Sequence, residues 1–193
     1  MGLGAAPAVA FEELNIALTG AQNDALQTQL RRASLLRTAK ADGISNPQDV
    51  FSTALAEYQR LLETLYANGY YSGVIHIRLD GRDASTIPPL DPPARITRID
   101  VSVSPGNQFR FGTASVTPLP PGTVLPEGFS PGKPARSTEV IAAATTAIDS
   151  WRMAGHAKAQ PSHQHLSANH ATHVLNAEIG VIPGPRVDFG TLI

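Results

Sequence analysis

The chain has no cysteine among its 193 residues, so disulfide bonds, thiolate metal ligands and cysteine nucleophiles are excluded together. Lys and Arg number 15 and Asp and Glu number 16, for a net charge of −1. This near balance leaves no broad basic field that would hold nucleic acid. No stretch approaches the ~20 consecutive apolar residues of a transmembrane helix. These absences disfavour a nucleic-acid-binding protein and a helical membrane protein.

Glycine and proline are abundant instead, with 16 residues of each. Such a density of residues that interrupt regular structure excludes one long helical bundle. Eleven of the prolines fall between Pro88 and Pro134, and dense helix and strand patterns lie on both sides of that window. This distribution favours two domains over one.

The first half predicts the order strand, helix, helix, strand, strand. Leu14, Ile16 and Leu18 alternate with polar or small residues as in a half-buried strand. A helix is expected over residues 24–36. A second helix of about five turns is expected to begin at Asn46-Pro47 and to end at Asn68-Gly69. Two alternating runs, 75–79 and 99–103, predict a hairpin whose connection, residues 81–93, is exposed.

The second half reads as a weaker copy of this order. A strand is expected over residues 109–116, a helix over 138–154 with Ser137 as its cap, and a hairpin that turns near Asn169. Residues 118–134 are too rich in Gly and Pro for a normal helix, so the first helix of the copy is expected to be reduced or lost.

Two sequence patterns recur, at offsets of 78 and 86 residues. Val-x-Pro-Gly followed by Phe-Gly occurs at residues 103–112 and again at 181–190, and an aromatic residue followed by Gly-aromatic occurs at 65–70 and 151–156. We interpret this as a tandem repeat with domains at 11–104 and 105–183 and the start of a third at 184–193. Residues 1–10 are expected to be a flexible start or the remnant of a signal peptide. The predicted inter-domain junction consists of Pro105, Gly106, Phe109, Phe111, Gly112, Pro183, Gly184, Phe189 and Gly190.

These junctions, the Gly-Tyr pair after the second helix and the β-α-α-β-β order resemble the POTRA (polypeptide-transport-associated) domains of the Omp85 outer-membrane assembly family. The resemblance covers nearly all of the chain from Phe11. Through residues 67–71 and 101–106 the chain is most similar to the TamA-like subgroup. The resemblance implies an α+β fold of tandem domains, each a three-stranded mixed sheet covered on one face by helices. The weak first helix of the second repeat departs from the family pattern.

The resemblance also implies a non-enzymatic periplasmic arm of an outer-membrane protein, with no cofactor and no catalytic residue. Expected partners are unfolded or nascent outer-membrane β-barrel proteins, the C-terminal β-barrel of the same protein and a TamB-like protein anchored in the inner membrane. In the family the strand after the second helix is an edge, and an edge can bind an extended peptide by β-augmentation. The corresponding side chains here are Val74, His76, Arg78, Lys158 and Gln160.

Two other functions remain open from the sequence. The tandem domains are also consistent with a two-partner secretion transporter that recognises one dedicated secreted substrate. A periplasmic metal-binding protein is the other alternative, because five histidines fall within residues 156–173 and a hairpin would place His165 near His173, with His163 on the same strand face as His165.

A basic group of side chains also has two interpretations. Arg31, Arg32, Arg37 and Lys40 form either a patch that faces an acidic partner or a solvated helix face.

Overall fold

The computed structural model describes residues 11–20 and 22–187. The chain divides into two compact units. The first holds the described residues up to Leu65 together with Ser72–Gly106, and the second holds Tyr66–Tyr71 with the described residues from Asn107 onward. Residues 1–10, and Phe189 and Gly190 of the predicted third repeat, lie outside the described residues. None of the helices in the described part is long and apolar enough to cross a membrane.

The first unit starts with strand β1 (Glu13–Leu18), followed by helices α1 (Asp24–Ala33) and α2 (Leu35–Ala41). The prediction of a single helix over residues 24–36 is therefore wrong. The break falls at Ser34, which is extended with ψ 122°, and its hydroxyl accepts a hydrogen bond from the Arg37 N–H. Ser34 thus caps a second helix where the apolar spacing alone had suggested continuity.

Helix α3 (Pro47–Ala67) begins and ends where the sequence predicts. The Asn46 side chain accepts a hydrogen bond from the Gln48 N–H at 2.8 Å, and Gly69 follows the helix with φ +80°. The face that α3 buries carries Val50, Phe51, Ala54, Glu57, Leu61 and Leu65.

The sheet of the first unit has four strands, where three were expected. Strands β2 (Val74–Leu79), β3 (Arg82–Asp83) and β4 (Arg98–Ser104) join β1 in the order β1-β4-β2-β3. Strand β4 is central, parallel to β1 and antiparallel to β2. The additional strand arises because Asp80 and Gly81 have φ of 48° and 87° and turn the chain back onto β2.

The connection after β3 is not the fully exposed loop that its composition predicts. A short 3-10 helix, Ala84–Thr86, buries Ala84, and Ile87 beyond it is also buried. These two apolar side chains hold part of the Pro-rich segment to the core.

The second unit contains β5 (Arg110–Thr117), α4 (Ser137–Met153), β6 (Gln160–Asn169) and β7 (Val174–Ile182). The sheet order is β5-β7-β6, with β5 parallel and β6 antiparallel to the central β7. This arrangement repeats β1-β4-β2 of the first unit. Leu175, Ala177, Ile179 and Val181 of β7 are all buried, as their alternation predicts.

Turns and irregular chain occupy residues 118–134 of the second unit, and α4 is the only helix among its described residues after Asn107. Phe129, from the irregular segment, is buried and packs edge-on against Phe111, with ring centroids 5.2 Å apart. Ser137 is the first residue of α4 and not its cap, since Arg136 precedes the helix without a side-chain capping hydrogen bond.

The two sequence repeats make equivalent backbone hydrogen bonds. The Phe109 N–H donates to the Gly69 carbonyl at 2.8 Å, and at the equivalent place the Val187 N–H donates to the Gly155 carbonyl at 2.8 Å. Both repeats therefore tie the turn after a helix to the chain that follows the last strand.

Candidate functional site

Strand β2 was predicted to be an open edge through Val74, His76 and Arg78. The structure corrects this for the second half of the strand, because Arg78 and Leu79 pair with Asp83 and Arg82 of β3. Val74 is 51% exposed and lies in the half of β2 that β3 does not cover. Only that half remains a candidate for strand addition.

Tyr58 of α3 obstructs part of the remaining edge. The Ile77 N–H donates to the Tyr58 hydroxyl oxygen at 3.3 Å, and the hydroxyl lies 3.2 Å from Asp83 Oδ1, to which it donates. A backbone group that a side chain already engages is not available to an added strand. The first unit therefore protects the edge next to β3 with its own residues.

Asp83 organises this corner of the sheet. Hydrogen bonds from the Ser85 hydroxyl and the Ser85 N–H lower the pKa of Asp83, with smaller contributions from His76 and Tyr58. His76 Nδ1 lies 3.6 Å from Asp83 Oδ2. His76, predicted as a partner-binding residue, thus interacts with Asp83 of the neighbouring strand β3.

The second unit presents a different edge, because every residue of β6, Gln160–Asn169, is exposed. The strand pairs with β7 on one side and ends the sheet on the other. The sheet edge is ten residues long, above the usual strand length of about five or six. A long, uncovered edge of this kind is a template for another strand.

The two faces of β6 differ in chemistry. Gln164, Leu166 and Ala168 lie opposite Ile179, Ala177 and Leu175, which are buried, so they belong to the core-facing side of the sheet. Leu166 on this side is nonetheless 48% exposed. On the other side His163 lies opposite Gly180 and His165 opposite Glu178.

The beginning of β6 is irregular. Lys158 precedes the strand and Gln160 begins it, and both are exposed. Pro161, which lacks an N–H, is followed by a register shift before His163. The regular part of the edge therefore starts at His163, later than the predicted residues. Pro161 was the signal in the sequence that could have shown this.

The predicted junction residues differ in burial. Phe109 and Phe111 are buried in the core of the second unit, where Tyr71 packs on Phe109 with ring centroids 5.4 Å apart. Pro105 is buried, whereas Gly106 and Gly112 are exposed and Pro183 and Gly184 are intermediate. Gly112 has no room for a side chain, since a Cβ there would meet Asn176 and Val174.

The histidines do not converge on one site. His165 lies opposite Glu178, whereas His173 Nε2 is 3.1 Å from Asn107 Nδ2 and its ring packs edge-on against Phe109. Among residues 11–20 and 22–187, no group of three or more His, Asp or Glu side chains is placed to hold a metal ion. The hairpin brings His163 and His165 onto one strand but does not bring His173 to them.

Comparison with solved structures identifies the fold as that of POTRA domains. The chain is similar to the crystal structure of Haemophilus influenzae BamA POTRA3-5, with a TM-score of 0.51 and 12% identity over 95% of this chain and 71% of that chain. It is also similar to BamA from Haemophilus ducreyi lacking POTRA domains 1–3, with a TM-score of 0.51 and 11% identity over 89% of this chain and 29% of that chain. No family model matches the chain, and comparison with curated proteins gave no match.

Proposed function

We propose that the chain is a periplasmic POTRA arm of an Omp85-type outer-membrane protein and acts as a non-enzymatic scaffold in the assembly or translocation of outer-membrane proteins. The observation that carries the proposal is the open edge of β6, in which all ten residues are exposed. The α+β fold shared with BamA POTRA domains supports it.

Strand addition at β6 suits a substrate that arrives as extended chain. Backbone hydrogen bonds supply the affinity and depend little on sequence, so many different strands can bind in the same way. The alternating strands of an outer-membrane barrel present an apolar face. That face would lie beside Leu166 and Ala168 and cover the apolar side chain that β6 leaves half exposed.

The finer assignment is the TamA-like subgroup, with a TamB-like inner-membrane-anchored protein as partner. Residues 67–71 and 101–106 support this assignment by sequence resemblance. A TamB-like partner would bind at the same β6 edge as a substrate strand, since a backbone template does not require a specific side-chain code.

The absence of cysteine allows a direct test by single-cysteine cross-linking. Gln164→Cys places one thiol on β6, and a synthetic strand peptide from an outer-membrane barrel carries a second. We expect a disulfide cross-link in the assembled edge. Thr113→Cys on β5 is the matched control. Thr113 is also exposed, but β5 lies at the other end of the same sheet.

Equal cross-linking at Gln164→Cys and Thr113→Cys, or none at Gln164→Cys, would contradict docking at β6. A panel of unrelated strand peptides separates two kinds of scaffold. Capture of many sequences supports a general assembly role, whereas capture of one secreted protein alone would indicate a two-partner secretion transporter instead.

A further inference from the structure

A groove runs along the outer side of β1 in the first unit, and unlike the β6 edge it is lined by basic side chains. It has a volume of about 550 Å³ and is lined by the strand residues Leu14, Asn15 and Ile16 and, from the helices, by Arg31, Arg37, Lys40 and Ala41. The folding of α1 and α2 as two separate helices brings these cations beside the strand.

The cations in the groove have no acidic partner in the described part of the chain. Among the described residues, no carboxylate lies within ion-pair distance of Arg31, Arg37 or Lys40. Lys40 is held in place by a 2.7 Å hydrogen bond to the Glu12 carbonyl and by the Phe11 ring, whose centroid is 5.7 Å from Nζ. Three positive charges in one concave surface raise the local concentration of anions.

The wall of the groove is also a strand edge, which is open at Leu14 between two carbonyls that the cations of the groove engage. Strand β1 ends the sheet of the first unit, with β4 as its strand neighbour in the described chain. The Glu12 and Ile16 carbonyls point outward, where Lys40 and Arg31 donate to them. Because backbone groups two residues apart point to the same side of a strand, Leu14 between them also presents its N–H and carbonyl outward.

We propose that this groove binds an extended acidic segment of a partner protein, which pairs with β1 around Leu14 while its carboxylates meet Arg31, Arg37 and Lys40. Lys40 and the two arginines use only part of their donor capacity on the carbonyls of Glu12, Ile16 and Arg31. The remaining donors are available to carboxylates.

A peptide fits the groove better than a phosphate headgroup does. A headgroup would use the cations alone, whereas a strand would also pair with the backbone of β1 and contact the Leu14 and Ala41 side chains that line the groove. Residues 1–10 carry no acidic side chain, so charge complementarity favours a partner over that segment of the same chain. The inference does not depend on docking at β6, since it concerns a different sheet.

The test uses a labelled ten-residue peptide of alternating Glu and Val and its Gln-Val analogue, each titrated against the full chain by fluorescence anisotropy. We expect the Glu peptide to bind at least about fivefold more tightly than the Gln peptide and to weaken in high salt. Its binding should slow hydrogen exchange at the Leu14 amide.

Arg37→Glu should weaken binding of the Glu peptide about fivefold or more, and Lys40→Gln should weaken it in the same direction. Arg82→Glu is the matched control, because it makes the same charge change on β3, at the other end of the same sheet, and should leave binding within about twofold. Circular dichroism establishes that each variant is folded.

Equal binding of the two peptides would overturn the proposal, as would an equal loss in Arg82→Glu or exchange protection that omits β1. Vesicles containing anionic phospholipid test whether the groove binds a membrane surface instead. If they bind through Arg37 and the Glu peptide does not, the groove recognises a membrane surface and the proposal is wrong.

Discussion

A buried carboxylate, Glu57 of α3, holds the start of α2. Its Oε2 accepts hydrogen bonds from the Leu35 N–H at 2.6 Å and the Leu36 N–H at 3.3 Å. Two N–H groups at a helix N-terminus, which would otherwise lack acceptors in the core, are thereby satisfied. Together with the Ser34 cap, this carboxylate explains why the chain forms two short helices and so positions the basic side chains beside β1.

Replacement of Glu57 by Ala should lower the free energy of unfolding by about 1–3 kcal/mol, because the Leu35 N–H would lose its acceptor in the core. Chemical denaturation measures this loss. Glu63→Ala is the control, since Glu63 lies on the exposed face of the same helix. A loss no larger than that of Glu63→Ala would contradict the capping role.

Glu57 also predicts a pH dependence of stability. Burial raises the pKa of Glu57 above its ordinary value, against the lowering effect of hydrogen bonds from Ser34, Leu35 and Leu36. The folded chain therefore holds this proton more tightly than the unfolded chain. The resulting stabilisation is complete below the unfolded pKa of about 4.3 and is lost as the pH rises through the folded pKa.

Glu57→Gln should remove this dependence, so its unfolding free energy relative to the wild type should rise between about pH 4 and pH 7. Denaturation curves at a series of pH values measure the difference. A difference that stays constant across this range, or that falls, would show that Glu57 does not carry a raised pKa.

The Tyr58 hydroxyl protects the β2 edge at the Ile77 amide. Tyr58→Phe removes the oxygen that accepts from the Ile77 N–H, so we expect a loss of about 1 kcal/mol in stability and faster hydrogen exchange at the Ile77 amide. The Val101 amide in the central strand β4 serves as the internal reference. Unchanged exchange at Ile77 would mean that the hydroxyl does not protect this edge.

At the scale of elements, strong local signals predicted most of the fold. The cap at Asn46-Pro47 was sufficient to predict the start of α3, and the alternation of apolar residues was sufficient to predict β7. Both signals act within a few residues of the chain. The split at Ser34 was missed, because its decisive acceptor, Glu57, is distant in sequence. The candidate site was predicted only in outline, since the blocking of β2 by Tyr58 and β3 depends on tertiary contacts.

The edge element β6 makes a specific prediction about apolar contact. Leu166→Lys should leave the fold intact, because the side chain is already 48% exposed, and should weaken capture of barrel-strand peptides severalfold. Ile182→Lys is the matched control, because Ile182 is also 48% exposed but lies on the central strand β7. Peptide titration of both variants is the measurement, and equal effects would contradict a role for the β6 face.

At the scale of the whole molecule, the two repeats use glycine in the same structural way. Gly106 and Gly184 have φ of 69° and 73°. A Cβ on Gly106 would lie 3.2 Å from the Cβ of Ser72, and a Cβ on Gly184 would lie 3.3 Å from the Cβ of Lys158. Gly43 has φ 69° but open space around it. The sequence repeat therefore reflects a shared backbone requirement at the end of each domain, which is why the pattern is detectable although the second repeat has lost a helix.

Gly106→Ala and Gly184→Ala should each destabilise the chain by more than Gly43→Ala. All three substitutions carry the cost of a left-handed residue, about 1–2 kcal/mol, and only the first two add a steric contact. Thermal denaturation of the three variants checks the order. If Gly43→Ala costs as much as the other two, the crowding at the repeat ends has no energetic consequence.

The proposed function requires that β6 receives an added strand. Amide hydrogen exchange across the full chain, with and without an extended peptide from an outer-membrane barrel, tests this most directly. New protection should appear along the regular part of β6, from His163 to Asn169, with little change at the β2 amide of Ile77. Protection at other strands with none at β6, or no protection despite binding, would contradict strand addition at β6.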